Sequence, residues 1–329
     1  MQTTETHTDP IAEAVANLGD GPLTEESLAA HIHPLFSRVQ QGLRERDEIY
    51  LANHSLGRPL DRMADDVRAA LDAWYETMDD AWQPWEDAMH RYRGVVANLI
   101  GCADPRAVVT KTSAGQGLRA VLNAMETTRP RIVTTTGEFD SIDFILKTYA
   151  HRGRADIAWV GPDDAGLFQA ERIIEAISSD TDLVVVSQIC YATGQVIEHL
   201  PSIIERAHAA HALVVIDTYH SAGAMPVGFG DLGADFAIGG NYKYTRGGPG
   251  ACWLAINAQH LSASSSPGMR TLDTGWFAKA GTMEFERPDQ PLLGSGGDAW
   301  LESTPPVLAF VQALAGLELT TALGPARLA

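Results

Sequence analysis

Residues 212–251 read ALVVIDTYHSAGAMPVGFGDLGADFAIGGNYKYTRGGPGA. Two apolar runs stand in this stretch, ALVVI (212–216) and DFAIGG (235–240), and each passes directly into polar residues. The first ends in Asp217, followed by Thr218, Tyr219 and His220. The second runs into Asn241, Tyr242, Lys243 and Tyr244 and then the loop RGGPGA. Short, β-branched runs without polar alternation are what strands covered on both faces require, and that is the habit of a parallel sheet.

The same grammar extends outward. Upstream lie AVVT (107–110), RIVTTT (131–136), DIAWV (156–160) and DLVVVS (182–187), alternating with amphipathic segments such as GQGLRAVLNAM, ERIIEAISS and LPSIIERAHAAH. The alternation predicts an α/β fold, a mostly parallel sheet with crossover helices on both faces. Residues 24–96 read as helical, with Glu25 and Glu26 suited to the positive end of a first turn and Pro59 and Pro84 marking breaks. Asp65, Asp66, Asp72, Glu76, Asp79 and Asp80 recur there at helical spacing with no interleaved His or Cys, which reads as a solvated face rather than a metal site. Past Asn257 the chain turns loop-like through SASSSPG, GSGGD and Pro305-Pro306, and a helical pattern, VLAFVQALAGLEL, begins near Val307.

Composition narrows the function. A chain of 329 residues can bury a large core, and 42 Asp+Glu against 24 Lys+Arg leave a formal charge of −18, which repels polyanions and offers no basic stripe. Nucleic acid is not an expected partner. Cys102, Cys190 and Cys252 lie too far apart for a CxxC site and suit a reducing compartment. The N-terminus is polar and acidic, unlike a signal peptide, and no stretch is apolar enough to span a bilayer, so the expectation is a soluble cytoplasmic protein with no membrane partner.

In open parallel sheets ligands gather at the carboxyl ends of the strands. A buried carboxylate such as Asp217 is costly there unless a cation meets it, and a protonated pyridine nitrogen is such a partner, although an aspartate at a strand end is often only a cap or turn residue. Lys243, at the next strand end, is the residue type that loses its proton when desolvated and forms imines, although a lone loop lysine is ordinarily solvated surface. After AVVT, the run from Lys111 through Thr112, Ser113, Ala114, Gly115, Gln116 and Gly117 leads into a helix whose first N–H groups suit a phosphate. Phe139, after RIVTTT, is placed to stack on a flat ring or simply to fill the core. GFGDLG (228–233) matches GxGxxG but precedes a strand and opens no helix, which argues against a dinucleotide site. The histidine pairs His31/His33 and His208/His211 lack the further ligands a zinc site needs. No metal is expected.

The block from Asp217 to Ala251 resembles the kynureninases, a branch of the class V aminotransferase family. The resemblance rests on D-x-x-H-S-x-G, GADFA and YKY…GGPGA in that order, with NHSLGRP (53–59), YATGQ (191–195), TGWF (274–277) and STPPVL (303–308) agreeing on either side. It implies the fold type I architecture of pyridoxal 5′-phosphate enzymes, an amino-acid substrate and a homodimer with active sites shared between subunits. It implies Lys243 as the Schiff-base lysine, Asp217 on the pyridine nitrogen, His220 beside the ring substituents and Phe139 stacked on the ring. It further implies Ser113, Ala114, Ser187 and Tyr242 around the phosphate, helped by Trp276 and Thr304 from the neighbouring subunit. The domain plan it suggests is an N-terminal helical arm (1–55), a cofactor-binding large domain (56–305), and the opening of a helix (306–329) toward a small C-terminal domain that the chain does not contain.

Departures from the family pattern fall where substrate is read. Ala278 and Lys279 stand in place of Gly-His after G-W-F, Asp140 in place of proline after Phe139, and His54 in place of the Asn of N-S-L-G. His54, Ser55 and Arg58 are the candidate substrate residues. In the family an arginine of the small domain holds the substrate carboxylate, and Arg58 and Arg246 are the candidate substitutes. Three functions follow: an aminotransferase or related lyase or hydrolase using Lys243, a kynureninase releasing an anthranilate and alanine, or a truncated, non-catalytic protein that binds the cofactor or a partner chain.

Overall fold

The computed structural model describes residues 9–261, 268–284 and 287–329. The first eight residues, and SASSSPG except for Gly268, lie outside the described residues. The six expected strands form as β1 (Val108–Lys111), β2 (Arg131–Thr135), β3 (Asp156–Val160), β4 (Leu183–Ser187), β5 (Leu213–Asp217) and β6 (Phe236–Gly240). A seventh, β7 (Cys252–Ile256), is one the strand grammar misses, because five apolar residues directly behind a glycine-rich loop carry no period of their own.

The strand order is β1-β7-β6-β5-β4-β2-β3. Strands β2 to β6 are parallel, and β7 runs antiparallel to both β6 and β1. That reversal matters for the site. It makes β7 start at the sheet edge where β1 and β6 end, so that Cys252 faces Lys111 on one side and Gly240 on the other.

Both faces of the sheet are covered, which is why its strands read as unbroken apolar runs. Val184, Val186, Val214 and Ile216 point to one core, beneath the helices Ala170–Ala176 and Leu200–Ala209. Leu183, Val185 and Val215 point to the other, beneath the helix Ala114–Leu122. Gly117 brings that helix close, since a Cβ there would meet Ile238 Cγ2 at 2.8 Å.

The N-terminal region is helical with different breaks from those the prolines suggest. Pro59 does lie in the connection between the helices Ser37–Glu45 and Arg62–Thr77. Pro84 instead sits in the first turn of Trp82–Ile100, where a missing N–H costs nothing, and the chain breaks at Met78, whose φ is +51°. The helix Arg62–Thr77 buries no residue completely, and Asp65 and Asp66 pair with Arg38 and Arg62. The helix Val307–Leu323 is apolar around most of its circumference because it is enclosed, packing against Trp82–Ile100, Arg62–Thr77 and Pro10–Leu18. Phe310 meets Tyr92 edge-on at 4.8 Å.

GFGDLG does form one helical turn, Phe229–Leu232, contrary to expectation, but the turn leads into β6 rather than out of a strand. His208 belongs to a structural lock at that same end of β6. It and His260 lie 2.9 and 2.6 Å from the buried carboxylate of Asp235, which also accepts the Val214 N–H. No described helix is long and apolar enough to cross a membrane.

Candidate active site

The polar residues that end β1, β5 and β6, and those that open β7, converge on one side of the sheet. They line a cavity of about 240 Å³ bounded by Ser113, Phe139, Asp217, Tyr219, Tyr242 and Lys243, among others. Asp217 is placed by the last residue of β5, directly opposite Ser187 in β4. Lys243 is placed three residues past β6, where the chain turns back toward β7. Gly240 allows the ring of Tyr219 to lie across the end of β6, for a Cβ there would stand 2.4 Å from Tyr219 Cζ.

Lys243 is only 4% exposed. Its Nζ lies 2.5 Å from His220 Nε2, and 4.7, 5.0 and 5.6 Å from the ring centres of Phe139, Tyr219 and Tyr242. Burial lowers the lysine below its ordinary pKa, and the charge of Asp217 opposes that shift. His220 is pushed down to about 4 by burial, then by the charges of Lys243 and His54, so it is a neutral imidazole at neutral pH.

Asp217 is pushed up to about 6 by burial, a shift opposed by the Tyr219 N–H, which donates to its Oδ1 at 2.8 Å, and by Lys243. Among the described residues that is the single hydrogen bond its carboxylate accepts. A buried carboxylate held by one amide and facing a cavity is a site made for a cation. In the lining of the same cavity, Ser113 caps the helix Ala114–Leu122 by accepting the Gln116 N–H at 3.0 Å. The Gln116 N–H is thereby taken, and that of Ala114 donates to Cys252, which leaves the Gly115 N–H and the positive end of the helix for an anion. The donor set therefore fits a flat, aromatic, cationic ring with an anionic substituent and a carbon that Lys243 can hold.

Not every candidate from the sequence meets here. Ser113, Ala114, Phe139, Asp217, Tyr242 and Lys243 line the cavity, and His220 touches it through Lys243. Ser187 turns away, its Oγ donating to Glu138 Oε2 at 2.6 Å. Trp276 and Thr304 lie outside the cavity and meet each other, with the indole N–H 3.1 Å from Thr304 Oγ1. Their loop is tied to the cradle by Glu302, which accepts from both Lys111 Nζ and Gln116 Nε2. His54 and Ser55 are exposed in the connection that also carries Arg58.

Glu138 is the functional-looking residue that strand-end reading left without a role. It is 3% exposed and accepts from Thr135 Oγ1 at 2.7 Å, Ser187 Oγ at 2.6 Å and Ser187 N–H at 3.3 Å. Burial raises it to about 7 against the pull of those donors, and the charge of Asp217 adds to the rise. Its one signal in the sequence is its position immediately before Phe139.

The profile of the family described as Aminotransferase class-V matches residues 66–281. The chain belongs to the class V aminotransferase family. Among its relatives in that family, the kynureninase of Pseudomonas fluorescens is 30% identical over 281 residues, covering 82% of this chain and 64% of that protein. The kynureninase of Geobacillus thermodenitrificans is 28% identical over 295 residues, covering 86% and 67%. The chain thus spans about two thirds of the length of these relatives. Among solved structures, the cystine C-S lyase C-DES in complex with its reaction product, cysteine persulfide, superposes with a TM-score of 0.72 at 20% identity, covering 83% of this chain and 72% of that one. The apo cysteine desulfurase of Thermococcus onnurineus NA1 gives 0.70 at 20% identity, covering 85% and 69%. These two likenesses establish that the class V fold seen here is shared.

Proposed function

We propose that the chain is a pyridoxal 5′-phosphate enzyme acting on an amino acid, with Lys243 holding the cofactor. The observation that carries this reading is the placement of Lys243 and the singly bonded carboxylate of Asp217 in one cavity, with a helix N-terminus in its lining. Lys243 would hold the cofactor covalently, Asp217 its ring nitrogen and Phe139 one ring face. Ser113, Ala114 and Tyr242 would surround its phosphate, and Trp276 and Thr304 of a second copy would complete the site of a homodimer.

When bound, the cofactor supplies an electron sink for charge that develops at the substrate Cα. The chain's own residues do the rest. The lowered pKa of Lys243 favours the neutral amine, the form able to attack a carbonyl carbon and to move a proton at the substrate Cα. His220, neutral and 2.5 Å away, shares a hydrogen bond with the lysine and holds Nζ in place. Burial raises Asp217, a cation beside it offsets that rise, and the carboxylate in turn favours a protonated ring over a neutral one.

Borohydride treatment of the loaded chain, followed by peptide mass analysis, tests the assignment. The expected result is one reduced adduct, on the peptide containing Lys243. An adduct on another lysine, or none, overturns it.

A narrower reading, hydrolysis of kynurenine to anthranilate and alanine, is favoured by the kynureninase relatives. Fluorescent anthranilate released from kynurenine by the loaded chain is its test. No product from fully loaded chain would leave transamination or another lyase or hydrolase step on a different amino acid.

A further inference from the structure

Two buried carboxyls flank Ser187 at the end of β4. Asp217, its register partner in β5, lines the cavity, whereas Glu138, in the turn after β2, lies behind that lining. The strand order sets β4 between β5 and β2, so the two acids reach Ser187 from opposite neighbours. Paired residues of adjacent parallel strands raise their side chains from the same face of the sheet. Val185 and Val215, two residues earlier in each strand, mark that face as the one beneath the helix Ala114–Leu122.

Glu138 is fixed in this place. Its Oε1 accepts from Thr135 Oγ1 at 2.7 Å and from the Ser187 N–H at 3.3 Å, and the Ser187 hydroxyl lies 2.6 Å from its Oε2. The turn that carries it is held as well. Gly137 N–H donates to Thr135 Oγ1 at 3.2 Å, and a Cβ on Gly137 would stand 2.9 Å from Cys190 Sγ. The next residue, Phe139, turns its ring to the cavity, 4.7 Å from Lys243 Nζ.

From β2 and β4, Thr135 and Ser187 offer Glu138 only neutral donors. The titratable groups that face it are Asp217, at the end of β5, and the Cys190 thiol, in the loop after β4, while Lys243, from the turn after β6, acts on Asp217. Like charges in one dry place resist each other, and burial raises both acids, Asp217 to about 6 and Glu138 to about 7. A cation set against Asp217 offsets the penalty of both. A neutral ring offsets neither.

We propose that Glu138 is a positioning residue of the candidate cofactor site, acting through Asp217 to favour a cationic ring over a neutral one. That this ring is the cofactor's rests on the function proposed above. Linkage fixes the sign of the effect. A cation at Asp217 favours the ionised form of Glu138, so binding releases the Glu138 proton, and affinity for a cationic ring climbs as pH rises through about 7. Below that range Glu138 is protonated and adds no charge.

Calorimetric titration of the full, cofactor-free chain with pyridoxal phosphate, in wild type and E138Q at about pH 5.5 and about pH 8, tests this. Glutamine keeps the shape of the neutral acid, and every other titration is common to both chains. The dissociation constant of E138Q divided by that of wild type is expected near one at the lower pH. At the higher pH it should reach about threefold or more, half a pKa unit of attraction between ring cation and Glu138. An analogue with C–H in place of the ring nitrogen should show no such gain. A ratio that is the same at both pH values, as a merely structural role would give, or an equal gain for the analogue, overturns the proposal. A second measurement needs no cofactor. The pH at which E138Q becomes more stable than its parent should fall by about half a unit or more when both carry D217N, because the like charge that raises Glu138 is gone. An unmoved transition also overturns the proposal. With the ring preference and the transition as expected, a failed borohydride label sinks the Lys243 assignment alone, and a label on Lys243 without the ring preference sinks only the role of Glu138.

Discussion

Replacing Glu138 with glutamine should make the chain more stable above neutral pH. The structure raises this carboxyl from 4.5 to about 7, so the folded state binds its proton more tightly than the unfolded state does. The sign follows from linkage. A raised carboxyl contributes stability in its protonated form below about pH 4.5, and that stability is lost as pH climbs through about 7. A shift of this size corresponds to about 3 kcal/mol once the group is fully ionised, most of it lost between about pH 5 and 8. Glutamine keeps the shape: its oxygen accepts from Thr135 and the Ser187 N–H, and its NH₂ replaces the protonated oxygen opposite Ser187 Oγ, whose hydroxyl turns to accept. Denaturant unfolding of wild type and E138Q, side by side across that pH range, isolates the group from every other titration. The two curves should nearly coincide at pH 5 and separate by about 2 to 3 kcal/mol at pH 8, with the variant more stable. Equal pH slopes would refute the reasoning, because they would mean that three donors suffice to hold Glu138 ionised throughout.

Asp217→Asn should leave the fold intact and lower turnover of the loaded chain about a hundredfold or more, the scale on which removal of a preorganised charge acts, as read by steady-state kinetics on any amino acid that reacts. Gly117→Val should lower the thermal midpoint, since its Cβ alone would press on Ile238 Cγ2 at 2.8 Å, and overpacking of this kind costs about 1 to 3 kcal/mol. The proposed shared-site homodimer predicts complementation: K243A and W276A chains, each inactive alone, should recover part of the activity when unfolded together and refolded, because one site of each hybrid is whole. No recovery would assign Trp276 to its own chain.

The strands were legible because they are buried on both faces. ALVVID and DLVVVS have no polar alternation to confuse with a surface strand, and the sheet places Asp217 and Ser187 side by side at the ends of those two runs. Asp217, Lys243, Phe139 and the Ser113 turn were legible for a second reason: each stands where a strand stops, and parallel strands all stop on one side. Glu138 was not legible. Its character comes from Thr135 and Ser187, three residues before it and forty-nine after it, and from complete enclosure, none of which has a local signature.

By itself, then, the order of apolar runs and strand-end residues determined the α/β class and the chemical set around Lys243, because these depend on burial and on strand direction. The tertiary structure alone decided the reversal of β7, the turning of Ser187 toward Glu138, and the packing of Gly57 against the Lys243 carbonyl. Those are outcomes of which side chains face one another across long separations, where a neighbour's charge and the exclusion of water set what a residue can do.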